Sequence, residues 1–406
     1  MKPKLLLILA ALMLHGTAIF SQQDTTLLNE IEITSSRTSS LYSESARVIR
    51  IITRDEIRNA PVSGINGMLE YVSGLDVRQR GAGDVQADIS LRGGSFEQTL
   101  VLLNGIPWND PQTGHHNLDI PIDLDAVERI EILEGPGSRI YGPNAFSGAI
   151  NIITAENASD EIRISAEAGE HNTYKSNLNL NLNHRQFSHF IHAGKSTSGG
   201  YRDNTDYDIS RLFLHSKLKI RNSKLGLQLG YLTKALGANA FYSARFPDQY
   251  EKIKTQFASM NFETGNKLRF SSYLYWKRHH DSFDLFRYAE PSWYEGNNFH
   301  MTDKLGGGLN SWFVWGAGKT SIGLEWHADE IRSNVLGKPV SYPEAVKGEK
   351  KAFYSHSAKR QNLAAFLEHK LETGKLHLSA GLLANWNSNY AVSVYPGLDI
   401  AYRLTR

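Results

Sequence analysis

The sequence predicts a small α+β domain followed by a run of antiparallel transmembrane β-barrel strands. Three observations predict it. Of the 42 Phe, Trp and Tyr residues, 7 precede residue 156 and 35 follow it, which marks a compositional boundary near Thr154–Ser159. Beyond that boundary, long segments alternate apolar and polar residues with period two, as in Ser176-Asn-Leu-Asn-Leu-Asn-Leu-Asn183 and Lys375-Leu-His-Leu-Ser-Ala-Gly-Leu382. At the N-terminus, Lys2 and Lys4 precede a single apolar run, Leu5 to Leu14, which small and polar residues follow. That order describes a secretory signal peptide over residues 1–21, and the run is about half the ~20 residues a spanning helix needs.

Composition narrows the classes further. The 406 residues carry 44 basic and 42 acidic side chains, a net charge of +2 that argues against a nucleic-acid-binding protein. With no cysteine, disulfide scaffolds, zinc–thiolate sites and iron–sulfur clusters are excluded. A mean hydropathy of -0.38 excludes a bundle of membrane helices.

Taken in order, residues 22–44 form an N-terminal segment and residues 45–155 a compact α/β unit. Within that unit Ala46–Thr53 reads as a strand, and Thr53 with Glu56 three positions on forms a capping box for a short helix. Asn104-Gly105 is a hairpin dipeptide after strand 98–103. Gly135-Pro136-Gly137 ends strand 128–133 with a sharp turn. Residues 156–406 hold about twelve strand-like segments, the first near 161–169 and the last near 391–405. Short turns such as Arg221-Asn-Ser223 and Glu372-Thr-Gly374 separate some; longer links, 234–250, 281–297 and 329–357, separate others. Strands of ~10 residues suit a tilted membrane crossing, and short turns at one rim with long loops at the other suit an outer-membrane barrel. Tyr273, Tyr275, Trp276, Trp312, Trp315, Trp326 and Trp386 fit aromatic girdles.

Three motifs carry a family resemblance: Leu91-Arg92-Gly93; Leu103-Asn104-Gly105-Ile106-Pro107; and Arg129-Ile-Glu-Ile-Leu-Glu-Gly-Pro-Gly-Ser138 followed by Tyr141-Gly142 and Gly148-Ala-Ile-Asn-Ile-Ile153. In order and spacing they resemble the plug domain of TonB-dependent outer-membrane receptors. The resemblance implies an exported protein of the bacterial outer membrane. Ligand binds outer loops and plug apex, and the inner-membrane motor acts through TonB. Lipid, TonB and a small ligand (an iron chelate or cobalamin ahead of haem) are the implied partners, with no nucleic acid, and a monomer when full length. It implies no enzyme activity and no cofactor, and no Ser/His/Asp set or catalytic carboxylate pair stands in a supportive context.

The resemblance also assigns residues. Leu28, Asn29, Glu30, Ile31, Glu32, Ile33 and Thr34 look like the TonB box, an alternating segment suited to strand addition onto a partner, although the same pattern fits a first strand of the plug sheet. Plug loops expected to face the substrate contain Arg80, Asp84, Trp108, Asn109, Asp110, Gln112, His115, His116 and Asn117. The adjacent His115 and His116 read as solvated loop histidines rather than metal ligands, with His279-His280 a weaker pair still, and no metal site is expected. Arg92, Glu131 and Arg139 are expected in an ionic lattice inside the plug and between plug and barrel, because buried charges must be paired.

Family barrels have 22 strands, so about twelve suggest an N-terminal fragment of a receptor of roughly 600–700 residues. The rival readings are an outer-membrane adhesin without coupled transport, or a non-functional truncated receptor.

Overall fold

A computed structural model describes residues 32–33, 40–41, 46–155, 159–316 and 318–404. The expected signal peptide lies outside the described residues, as do Leu28–Ile31 and Thr34 of the expected TonB box. Glu32–Ile33 (β1) pairs antiparallel with Ser40–Leu41 (β2) as a separate two-stranded sheet, apart from the plug sheet.

The plug begins with β3 (Ile49–Ile52) and α1 (Arg54–Asn59). The capping box is present as expected: Thr53 accepts from the Glu56 amide, and Glu56 accepts in return from the Thr53 amide. Next come α2 (Ile65–Leu69), β4 (Leu75–Gln79), β5 (Ala87–Leu91), β6 (Thr99–Leu103), β7 (Ile106–Pro107), β8 (Val127–Glu134), α3 (Ser138–Tyr141) and β9 (Gly148–Thr154). Asn104 and Gly105 both take positive φ, 50° and 81°, as a two-residue hairpin turn requires. The plug sheet runs β3-β8-β9-β6-β7, with β6 and β9 parallel. Its apolar centre is fully buried at Val101, Leu103, Ile130, Ile132, Ile150 and Ile152.

The wall follows as β10 (Glu161–Gly169), β11 (Thr173–His184), β12 (Phe187–Ser198), β13 (Tyr207–Ile220), β14 (Ser223–Gly237), β15 (Tyr250–Gly265), β16 (Leu268–Asp284), β17 (Asn298–Trp315), β18 (Gly318–Ser333), β19 (Lys338–Ala345), β20 (Phe353–Thr373), β21 (Leu376–Asn387) and β22 (Tyr390–Tyr402). They form one 13-stranded antiparallel sheet in sequence order, with β19 attached to β20 alone. The twelve sequence segments all fall on strands; β19 falls in the link 329–357. Pro339 and Pro343 hide it from a strand reading, and it survives as an edge strand whose register slips between Pro339 and Glu344.

Connections 185–186, 221–222, 266–267 and 374–375 are two-residue turns at one rim, while 199–206, 238–249, 285–297 and the stretch 334–352 that holds β19 lie at the other, with the short 170–172 and 388–389. β20 has 21 residues, well beyond the ~10 a crossing needs, so the wall continues past the membrane at the long-loop rim. Among the described residues, no helix is long and apolar enough to cross a membrane, a criterion that does not bear on strands.

Candidate functional site

The candidate site is the plug loop 109–119 and the barrel wall it meets. The loop leaves β7 and is held rigid from within. Asn109 accepts from the Val101 amide (2.6 Å) and donates to the Thr99 carbonyl (3.0 Å). Asn117 accepts from the Asp110 amide and donates to the Phe96 carbonyl, each at 3.0 Å. Thr113 caps the 3₁₀ turn Gly114–His116.

The wall residues that meet this loop lie in the halves of β14 to β17 nearest the long loops, which is the outer end of an outer-membrane barrel. Lys234 on β14 donates to Asp119 (2.6 Å) and to the Asp84 and Val85 carbonyls. Lys277 on β16 donates to the Trp108 carbonyl (2.7 Å), pairs with Asp110 at 3.4 Å and sits over the Trp108 ring. From β17, Thr302 donates to Asp110 (3.3 Å) and Lys304 to the Asn109 carbonyl (3.4 Å). On the plug, His116 Nδ1 lies 2.9 Å from Asp119 and its Nε2 3.7 Å from Asp281 of β16.

These pairs decide the charge states. Burial works to raise the Asp110 carboxyl, but Lys277, then His279 and His116, outweigh it and bring it down to about 2. Burial likewise opposes the Asp119 charge, and Lys234 followed by His116 hold it far below the usual carboxylate range. Burial would neutralise His116, yet its bonds to Asp119 and Asp281 raise it well above an ordinary imidazole.

The structure redistributes the expected site residues. Trp108 is completely buried against Phe257, with ring centroids 5.0 Å apart, so it anchors the loop and does not face a ligand. Asp84 accepts from the Ile65 and Asn66 amides and so supplies the N-terminal cap that Gly64 cannot give α2. Asn109, Asp110 and Asn117 are buried in the bonds above. His116 is a correction: it is 3% exposed and engaged, not solvated, because the barrel wall covers the loop. Arg80, Gln112 and His115 keep partial exposure. Arg80 pairs with Asp88 (2.9 Å) and reaches the Phe241 carbonyl; His115 bonds Asp88; Gln112 donates to Asp281 at 3.2 Å.

Of the lattice residues, Arg139 crosses from plug to wall, bonding Glu368 (3.1 Å), Asp399 (2.6 Å) and Ser379. Glu131 pairs with Arg129 at 2.8 Å, and Arg92 with Glu134 at 2.9 Å, both inside the plug. The sequence reading missed the strongest members: Asp119, and Asp123, which joins Arg211 (3.0 Å), Lys175 and His192 of the wall. Their signal was available, since Asp119, Asp123 and Asp125 interrupt an otherwise apolar run from Leu118 to Val127.

Beyond the loop, the outer connections are ordered by aromatic edge contacts of Phe286 with Phe246, Trp293 and Tyr294, at 5.6, 5.4 and 5.1 Å. A cavity among them is lined by Glu290, Glu295, Asn297, Asn334 and Lys350.

Comparison with known proteins agrees with this architecture. Residues 41–149 match the TonB-dependent Receptor Plug Domain family. The chain is 27% identical over 252 residues to a "Vitamin B12 transporter BtuB" of Vibrio vulnificus strain CMCP6, covering 62% of this chain and 38% of that protein. A second BtuB, from strain YJ016, is 27% identical over 282 residues, covering 66% and 45%. In fold it resembles the ferric citrate transporter FecA (TM-score 0.69, 16% identity, 89% of this chain and 61% of that one) and the ferric enterobactin receptor PfeA (0.70, 15%, 89% and 61%). The chain spans less than half the length of the two BtuB relatives. Residues 41–149 thus match a TonB-dependent receptor plug, and the strands that follow share the fold of the barrel in such receptors. Its relatives are transporters and receptors, not enzymes.

Proposed function

We propose that the receptor containing this chain takes up a scarce nutrient across the outer membrane, driven through TonB, and that its ligand is cobalamin or an iron chelate. The observation that carries this reading is the seating of loop 109–119 against the outer half of the wall, beneath the long loops. A ligand arriving from outside meets Arg80, Gln112 and His115 on the plug and the 285–297 and 334–352 connections together. Binding there is coupled to the plug by the same buried pairs that hold it. Force applied through residues 28–37 must break those pairs before a path opens. The BtuB relatives favour cobalamin, and the receptor likenesses keep ferric chelates beside it. The segment Leu28–Thr34 would recruit TonB by strand addition.

The test uses the full-length receptor in its native membrane. Cobalamin, ferric siderophores and haem are each offered for equilibrium binding and for uptake, with and without residues 28–37. The reading expects saturable binding of cobalamin or a ferric chelate in both forms, and uptake only in the intact one. Uptake that persists without residues 28–37 would overturn it.

A further inference from the structure

We propose that His116 and Asp119 of the plug, with His279 of the barrel wall, form a buried site for a divalent first-row transition-metal ion that ties the plug to the wall. One ligand atom from each residue lies within 4.8 Å of the others, and the residues are 3%, 3% and 1% exposed. The His116 and His279 rings stand 4.5 Å apart.

Two of the ligands already have orienting partners outside the site. His279 Nδ1 lies 2.9 Å from the Thr255 hydroxyl; in the tautomer whose Nδ1–H donates to that hydroxyl, Nε2 carries the lone pair. That Nε2 is buried and has no hydrogen-bond partner among the described residues. Asp119 is held through its other oxygen by Lys234 at 2.6 Å. Asp281, 3.7 Å from His116, keeps one buried oxygen without a partner beside the three ligands. A buried acceptor left open on both His279 and Asp281 is costly unless a cation or donor meets it.

Ligand chemistry selects the occupant. The ion replaces the proton that His116 shares with Asp119 and Asp281. Two imidazoles and a carboxylate suit Zn²⁺, Co²⁺ or Fe²⁺, whereas Ca²⁺ and Mg²⁺ take oxygen ligands. Metal–ligand bonds of ~2.0–2.2 Å would draw the three side chains together by roughly an ångström. The site is sealed by protein, so it takes a bare ion and not a chelate, and it does not depend on the uptake reading. Because its ligands come from both bodies, the ion is released when the plug moves.

The full-length receptor, purified in detergent, is titrated with Zn²⁺ and, separately, with Co²⁺ while visible absorption is followed. The native protein should bind one ion per chain, with the absorption of nitrogen–oxygen-ligated Co²⁺ and a Zn²⁺-dependent rise in thermal midpoint. His279→Gln removes one ligand, with Thr255 the only side chain hydrogen-bonded to it, and should weaken binding at least ~10-fold and abolish the rise. His116→Gln should weaken it too. If His116→Gln fails to fold, His279→Gln still decides the matter. No saturable binding, or an affinity unchanged in His279→Gln, would overturn the proposal.

Discussion

In β8 of the plug, Ile130 and Ile132 are wholly buried and pack with Val101 and Ile150 into an apolar core. In β11 of the wall, Asn177, Asn179 and Asn181 are the buried positions, and Leu178, Leu180 and Leu182 lie on the opposite face. The wall has the burial sense of a soluble sheet turned inside out. One apolar row runs across its outside, Leu227, Met260 and Leu274 in register on β14, β15 and β16, at 42%, 49% and 60% exposure, where lipid belongs. The contrast teaches what joins the two bodies. The plug coheres by removing apolar surface from water. Much of its bond to the wall is made instead by ion pairs and hydrogen bonds, since the wall turns many polar side chains inward.

The sharpest way to break this comparison is to remove an ion pair between the bodies. Arg139→Ala takes the guanidinium from Glu368, whose side chain is 7% exposed and then retains Ser379 and a Lys370 ammonium 3.8 Å away. Losing one partner of a buried pair costs ~3–5 kcal/mol. Unfolding of the full-length receptor in detergent should show that loss in plug signals such as Trp108 fluorescence, while strand content is kept. A loss below ~1 kcal/mol would mean that the ionic lattice is not what holds the plug.

Next in size is the same substitution made in both regions. Leu103→Ala, at 0% exposure in the plug, should cost ~2–5 kcal/mol through lost transfer and a cavity. Leu274→Ala, 60% exposed on the outside of the wall, should cost about 0.5 kcal/mol. Equal costs would mean that Leu274 packs against protein, and the inside-out reading of β16 would fail. Leu274→Arg sharpens the point, with ~2–4 kcal/mol expected if the residue sits at mid-bilayer depth.

What the sequence shows of this molecule follows the range of the forces involved. Strand alternation, the Asn104-Gly105 turn and the Thr53 cap are local and stand in the residue order. The partners of buried charges do not. Asp119 meets Lys234 at a separation of 115 residues, and Asp123 meets Arg211 at 88, because the wall must first wrap the plug. His116 reads as solvated because its loop is polar throughout; only the covering strands make it buried. Asp84 reads as a free loop acid because the helix it caps begins 19 residues earlier. Loop chemistry was legible as a candidate surface, whereas the division between anchors (Trp108, Asn109, Asn117) and accessible groups (Arg80, Gln112, His115) depends on tertiary packing.

The smallest effect tests whether local structure in the plug matters beside its core. Thr53 caps α1, and Glu56 closes the box while also accepting from Arg50 at 2.6 Å. The site is exposed, so water compensates part of what is removed. Thr53→Ala should therefore cost about 1 kcal/mol, and Thr53→Ser should restore nearly all of it, because a hydroxyl is what the Glu56 amide needs. Both are read as shifts in the thermal midpoint of the plug transition. If Thr53→Ala costs as much as Leu103→Ala, α1 is a keystone of the plug and not a satellite of its sheet. If Thr53→Ser fails to rescue, the methyl group's packing, and not the cap, is what position 53 contributes.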